Sequence, residues 1–233
     1  MGLGRRKDGK DSGEFSPIFY KKSRLTLISH DSFWLSETPF KPSKYPGAGH
    51  NRVCTAGHFM LTTPPSSQSA NFTVFNTHLD HRSDAQRRLS ASLLLTRARY
   101  ETHTTRGPVF VMGDLNSPPI GRDAGAYKIL TGQLPPMAID PEFERKYTAS
   151  GDTPGDFTMR DLGGETPKMR VSGHFATFTG FKKPNDAANL ARIDFIFGGS
   201  NGGWSADAYK VISTLTDDGI LASDHRPVIT DVF

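Results

Sequence analysis

A single cysteine, Cys54, is found in the whole 233-residue chain. No internal disulfide is possible, so the fold cannot depend on an oxidising compartment. Cys54 lies in "NRVCTAGHFML", which reads as a strand over 52–61, and a buried structural thiol accounts for it better than a nucleophile. No apolar run approaches the roughly 18–20 residues of a membrane-spanning helix. The basic N-terminal stretch "MGLGRRKDGKDSGEF" has no apolar core after it and is not a secretory signal, which favours a cytoplasmic or nuclear location. Runs of five or six like charges are lacking too, so the net charge of +4 and pI near 9.2 favour anionic partners only mildly. Repeats and low-complexity tracts are absent.

What is present is an ordinary globular composition, 36% hydrophobic and 22% charged. "SPIFYKKSRLTLISHDSFWLS" reads as two β runs joined by Lys21, Lys22 and Ser23, a hairpin signal. A further strand is expected in "ANFTVFNTHLDH", where Phe72, Val74 and Asn76 alternate with Thr73, Phe75 and Thr77. "SDAQRRLSASLLLTRARYETH" is the strongest helix. Ser83 can cap it, and Leu89, Leu93, Leu94 and Ala98 form a stripe beside Arg87, Arg88, Arg97 and Arg99. A strand at 108–112 and a short helix ending at Gly132 follow; 133–173 reads as a long irregular excursion. "RIDFIFGG", "AYKVISTLT" and "RPVITDVF" close the chain as β-rich runs. The pattern is a mostly-sheet α/β domain with sheets face to face and helices outside.

Polar residues recur at strand ends. "FNTHLDH" ends with Asn76 and His78, "VFVMGDLNSPP" with Asp114 and Asn116, "RIDFIF" begins with Asp194, and "SDHRPVI" sets Asp224 and His225 before the last strand. Each alone has an ordinary reading, as a turn former or a satisfied histidine. Asp194 in an aromatic strand demands a donor, because a buried lone carboxylate costs several kcal/mol, and a histidine is a natural partner. Alternation puts Asp114 and Asn116 on one side of an extended segment. Ser223, Asp224 and His225 hold the letters of a hydrolytic triad but point to alternating faces and cannot form that relay. Zinc at His78 and His81 lacks familiar ligand spacing; hard oxygen ligands suit Mg²⁺ or Mn²⁺ better.

"NTHLDH", "GDLNSPP", "TFTGF" with "RIDFIF", and "SDHRPV", in this order, resemble the endonuclease/exonuclease/phosphatase superfamily, the deoxyribonuclease I-like proteins. "GEFSPIFYKK" and "FWLSETP" resemble one branch of it, and the likeness covers nearly all of a single domain, 1–233. It implies an α/β (α+β) four-layer α/β/β/α sandwich of two mainly antiparallel sheets. It implies Mg²⁺-dependent (or Mn²⁺-dependent) hydrolysis of a phosphodiester or phosphomonoester by in-line attack, nuclease-like, with an RNA 3′–5′ exonuclease among the options. The partner is a phosphate-ester substrate, nucleic acid included; the oligomeric state is not implied.

Carried over by position, His225 faces the scissile phosphate and Asp194 holds its ring. Asp114 and Asn116 orient the attacking water and a phosphate oxygen. Asp224 helps hold the metal, His78 donates to a non-bridging oxygen, and Glu14 orients His78. The superfamily begins with a strand carrying an Asn and a second ending in Gln-Glu, whose glutamate binds metal. No such segment stands here, which implies a chain lacking its first strands and turning over far below an intact relative. The alternative is a catalytically impaired fragment or pseudoenzyme that binds phosphate-containing ligands.

Overall fold

The structure is a computed structural model that describes residues 2–3, 15–63, 71–149, 157–181, 190–213, 215–216 and 218–233. Its frame is a six-stranded, mainly antiparallel sheet. In spatial order this runs β3 (Leu25–Trp34), β4 (Val53–Leu61), β5 (Asn71–His78), β6 (Val109–Asp114), β9 (Asp194–Gly199) and β7 (Met159–Asp161). Within this sheet only β5 and β6 run parallel, because helix α1 (Asp84–Thr105) makes the crossover between them. A smaller sheet orders β11 (Val228–Val232), β10 (Ala206–Val211) and β8 (Val171–Gly173). A two-residue ladder joins β1 (Gly2–Leu3) to β2 (Ile18–Phe19). The protein is thus a mixed α/β fold with two sheets, as its sequence implied, though the smaller one is half parallel, β8 running parallel to β10.

Helix α1 starts where Ser83 accepts a hydrogen bond from the Gln86 N–H at 3.1 Å. Its Leu89, Leu93, Leu94 and Ala98 are buried against Phe75, Val109 and Val111 on one face of the large sheet. The opposite face carries Phe59 and Val74, with Leu25, Leu27 and Met112 packed against them. Cys54 is fully buried, and burial pushes its thiol pKa upward, so it is inert as expected.

Two local expectations fail, and two arginines of α1 lie deeper than their charge suggests. The hairpin around Lys21–Ser23 turns as anticipated, with Leu25 N donating to Lys21 O at 2.9 Å, yet β3 pairs with β4 over nine registered positions and not with β2. Two residues of β2 offer too little ladder to compete. The 133–173 excursion is not structureless: it carries α3 (Pro141–Lys146), β7, α4 (Leu162–Glu165) and β8, beside α2 (Gly125–Leu130) just upstream. Two of the arginines beside the leucine stripe, Arg87 and Arg97, are not solvated. Both are buried in ion pairs, Arg87 with Asp123 at 2.7 Å and Arg97 with Glu101 at 2.7 Å.

Candidate active site

Three strands of the large sheet bring polar residues to the same end. His78 closes β5 and Asp114 closes β6, and the ladder places them directly opposite each other. Asp114 is in turn registered with Asp194, the first residue of β9. Strand β6 can approach β5 this closely only because residue 113 is glycine. Gly113 has φ +137°, and a Cβ there would fall 1.9 Å from Thr77 O. The Asp-Asn pair after it therefore depends on the glycine before it.

His225 arrives from the connection into β11. A single antiparallel bridge pairs it with Phe178, and Arg226 N donates to Thr177 O at 2.6 Å. Arg226 also donates to the Thr179 hydroxyl, which fixes the loop. The His225 ring stands edge-on to Phe178 with centroids 5.0 Å apart. Its Nδ1 lies 2.9 Å from Asp194 Oδ2, and its Nε2 faces Asp114 Oδ2 at 3.7 Å. The carboxylate that needed a partner has a histidine. His78 Nε2 approaches the same Asp114 oxygen at 3.3 Å. Asn116, at φ +47°, donates its backbone N–H to Asp114 Oδ1 at 2.7 Å and its side-chain amide to Leu79 O at 3.0 Å. This is an Asx turn in which Asn tolerates the left-handed conformation.

The electrostatics follow from burial and like charge. Desolvation first, and the neighbouring Asp194 second, push the Asp114 pKa up to about 6. The bond to Asp194 raises the His225 pKa; burial opposes it, and the charges of Asp194, Asp114 and Asp224 support it. Among the described residues, Asp114, Asp194 and His225 form the one group of three or more ligand-type side chains within 4.8 Å of one another. Two hard carboxylates that repel each other suit a divalent cation, which relieves that repulsion.

His78, Asp114, Asn116, Asp194 and His225 are therefore brought together. Asp224 is adjacent, but its carboxylate stands 3.5 Å from the Ser223 hydroxyl and outside the three-residue cluster. Glu14 lies outside the described residues. His78 and His81 diverge, the first toward Asp114 and the second toward Arg52 at 3.3 Å, so they do not form a shared zinc site. Asn76 supports from a distance by donating to Pro17 O at 2.7 Å. Two structural contributors gave no sequence signal. Asp161 takes both Arg192 donors at 2.6 Å and so fixes the residue two before Asp194, and buried Asp80 organises the loop after His78. "MRD" and "LDH" look like ordinary turn letters.

The fold and this cluster define a mixed α/β protein with a histidine–carboxylate site at one end of its large sheet. The chain belongs to the Endonuclease/Exonuclease/phosphatase family, whose profile matches residues 18–225. Its solved relatives include the family protein from Bacteroides vulgatus, 26% identical with TM-score 0.76, of which it covers 76% while all of this chain aligns. The Bacteroides thetaiotaomicron mannosyl-6-phosphatase Bt3783 is also 26% identical, with TM-score 0.74 and the same coverage, 100% of this chain and 76% of that one. The catalytic domain of human Nocturnin, at 15% identity and TM-score 0.60, shares the fold over 100% of this chain and 71% of its own. No functionally curated protein matches the chain. No helix among the described residues is long and apolar enough to cross a membrane.

Proposed function

We propose that this chain hydrolyses phosphate esters by in-line attack of water, with His78, Asp114, Asn116, Asp194 and His225 as the reacting centre. The observation that carries this is the ordered contact from Asp194 through His225 to Asp114, 2.9 Å and then 3.7 Å. Asp194 holds the imidazole by Nδ1, so Nε2 is aimed at the space where Asp114 also points. One face then offers a base for the attacking water and a donor for an oxygen of the same phosphate. Asn116 and His78 supply N–H donors for phosphate oxygens that gain charge during attack. The 26%-identical mannosyl-6-phosphatase supports a monoester substrate, and diesters remain within the same chemistry. A divalent cation, Mg²⁺ or Mn²⁺, fits the oxygens of Asp114 and Asp194 with Asp224 nearby, and when bound it supplies charge neutralisation at the phosphate.

The test is hydrolysis of p-nitrophenyl phosphate and bis(p-nitrophenyl) phosphate by the purified chain, with Mg²⁺, with Mn²⁺ and with EDTA. Metal-dependent release of nitrophenol is expected, with at least a roughly 100-fold loss in His225→Ala. Turnover indifferent to EDTA or to His225→Ala overturns the assignment. Phosphate binding without any turnover supports the non-catalytic phosphate binder instead.

A further inference from the structure

Beside the reacting centre, at the same end of the sheet, a second cluster is left unused by the chemistry above. Arg52 immediately precedes β4 and His81 follows β5. Arg52 is only 2% exposed; its Nε lies 3.6 Å from Asp80 Oδ2, and its Nη2 lies 3.3 Å from Nδ1 of His81. Asp80, fully buried, accepts backbone N–H bonds from Gly49 and His50 on one oxygen and from Arg82 and Ser83 on the other. The Arg52 guanidinium is thus held in place and its charge compensated behind the surface.

That contact settles the chemistry of His81. A guanidinium only donates, so Nδ1 of His81 accepts, and the proton of the neutral ring sits on Nε2. Burial and the positive charges of Arg52 and Arg82 hold the His81 pKa below its usual value against the pull of Asp80, which keeps the ring neutral. The ring is seated on Gly49, where a Cβ would come within 2.7 Å of its Cε1. The imidazole of His50 stands alongside with centroids 5.7 Å apart, and both histidines are exposed. With its lone pair committed to Arg52, His81 has none to give a metal; it can present only a donor, Nε2–H, to an acceptor from solvent. His81 is three residues beyond His78, a chain reach of at most about 10 Å. The Arg52 charge also acts on Asp114.

We propose that His81, oriented by Arg52 and Gly49 and flanked by His50 and Arg82, forms an anion subsite that receives a second negatively charged oxygen group of the substrate. This rests on the phosphoester reading and narrows it to substrates with a second phosphate or carboxylate near the scissile group. The neighbouring phosphate of a nucleic-acid strand and the second phosphate of a sugar bisphosphate present the same chemistry.

Two measurements on the full chain test it. In the first, long-range ¹H–¹⁵N spectra of the imidazoles are recorded during titration with inorganic phosphate, in wild type and in His225→Ala. The expected result is the Nε2–H tautomer at His81 and phosphate-dependent shifts at His81 and His50 in both proteins. A proton on Nδ1, shifts confined to His78 and His225, no shift at any histidine, or Zn²⁺ captured by His50 and His81 in place of phosphate overturns the subsite. In the second, kcat/KM for fructose 1,6-bisphosphate and for a 5′-phosphorylated dinucleotide is compared with that for p-nitrophenyl phosphate. His81→Ala is expected to lower the ratio about tenfold, through KM, for the source that fits, the loss of one charge-assisted hydrogen bond. His81→Gln, which keeps an N–H donor, should recover most of it. An unchanged ratio for both sources overturns the proposal. If the wild type turns over nothing, the hydrolase reading falls and the phosphate titration alone decides the subsite.

Discussion

Asp114 carries an expense that its neighbours explain. Its burial and the nearby Asp194 carboxylate hold its pKa at about 6, against 3.8 for an ordinary Asp. A shift of that size is worth on the order of 3 kcal/mol between the two protonation states. Because the folded-state pKa is raised, the folded protein binds this proton more tightly than the unfolded chain. The favourable contribution is complete below pH 3.8 and is lost as pH rises through about 6. At neutral pH the ionised carboxylate therefore weighs against folding. Asp114→Asn removes the charge and keeps an oxygen for the Asn116 N–H. In EDTA at pH 8 the variant should unfold about 1–3 kcal/mol later than wild type in urea, and the gap should close toward pH 4. A variant no more stable than wild type at pH 8, or a gap that ignores pH, refutes this account of the site. A residue kept at such cost fits a chemical role better than a structural one.

At the scale of elements, helix α1 is fastened to the large sheet by a buried charged network as well as by leucines. Glu101, fully buried, lies 2.7 Å from Arg97 Nε and 3.0 Å from His58 of β4, while Arg97 reaches Asp31 of β3 at 2.9 Å. The Arg97 guanidinium also stands 4.2 Å from the centroid of the Tyr147 ring. Burial raises the Glu101 pKa, but the partners His58 and Arg97 outweigh it and hold it below 4.5, so its contribution is present above that pH and is lost as pH falls. Removing one partner strands the other: Glu101→Ala should cost about 3–5 kcal/mol in urea unfolding. The double variant Glu101→Leu with Arg97→Met should cost less, because no buried charge is left alone. A double variant worse than the single one contradicts that explanation. The helix itself was legible, since the Ser83 cap and the 3.6-residue leucine period are local signals. The burial of Arg97 was not, because its partner Asp31 lies 66 residues away. Strand β7 was missed for the same kind of reason: three residues carry no period, and β9 recruits them through Met159, Arg160 and Asp161. The site showed the converse. Asp114, Asn116, Asp194 and His225 could be picked out because the same strand-end pattern recurs four times in one chain, though each instance alone reads as a turn former, whereas Arg52 looked like any basic residue before a strand.

Across the whole molecule, the Asp114–Asp194–His225 cluster is also a junction. Asp114 and Asp194 belong to the large sheet, while His225 leads directly into β11 of the small one. The bond between His225 and Asp194 therefore crosses from one sheet to the other, helped by the Arg226 anchors at Thr177 and Thr179. A cation bound among these residues would couple to unfolding of both sheets, not to a loop. Binding only the folded state stabilises it by RT ln(1 + [L]/Kd), or about 2.7 kcal/mol at a hundredfold excess over Kd. For a chain of this length that corresponds to roughly 5–10 °C in the unfolding midpoint. Calorimetry in EDTA, then with increasing Mn²⁺ or Mg²⁺, should show a single transition moving upward with the logarithm of metal concentration. Asp194→Asn should flatten that dependence, because it removes a ligand and loosens His225 together, whereas Glu101→Gln, remote from the cluster, should lower the midpoint and keep the slope. A midpoint indifferent to millimolar metal in the wild type would mean that the two carboxylates at the sheet junction hold no cation, and that His225 and the charge of Arg52 offset their repulsion.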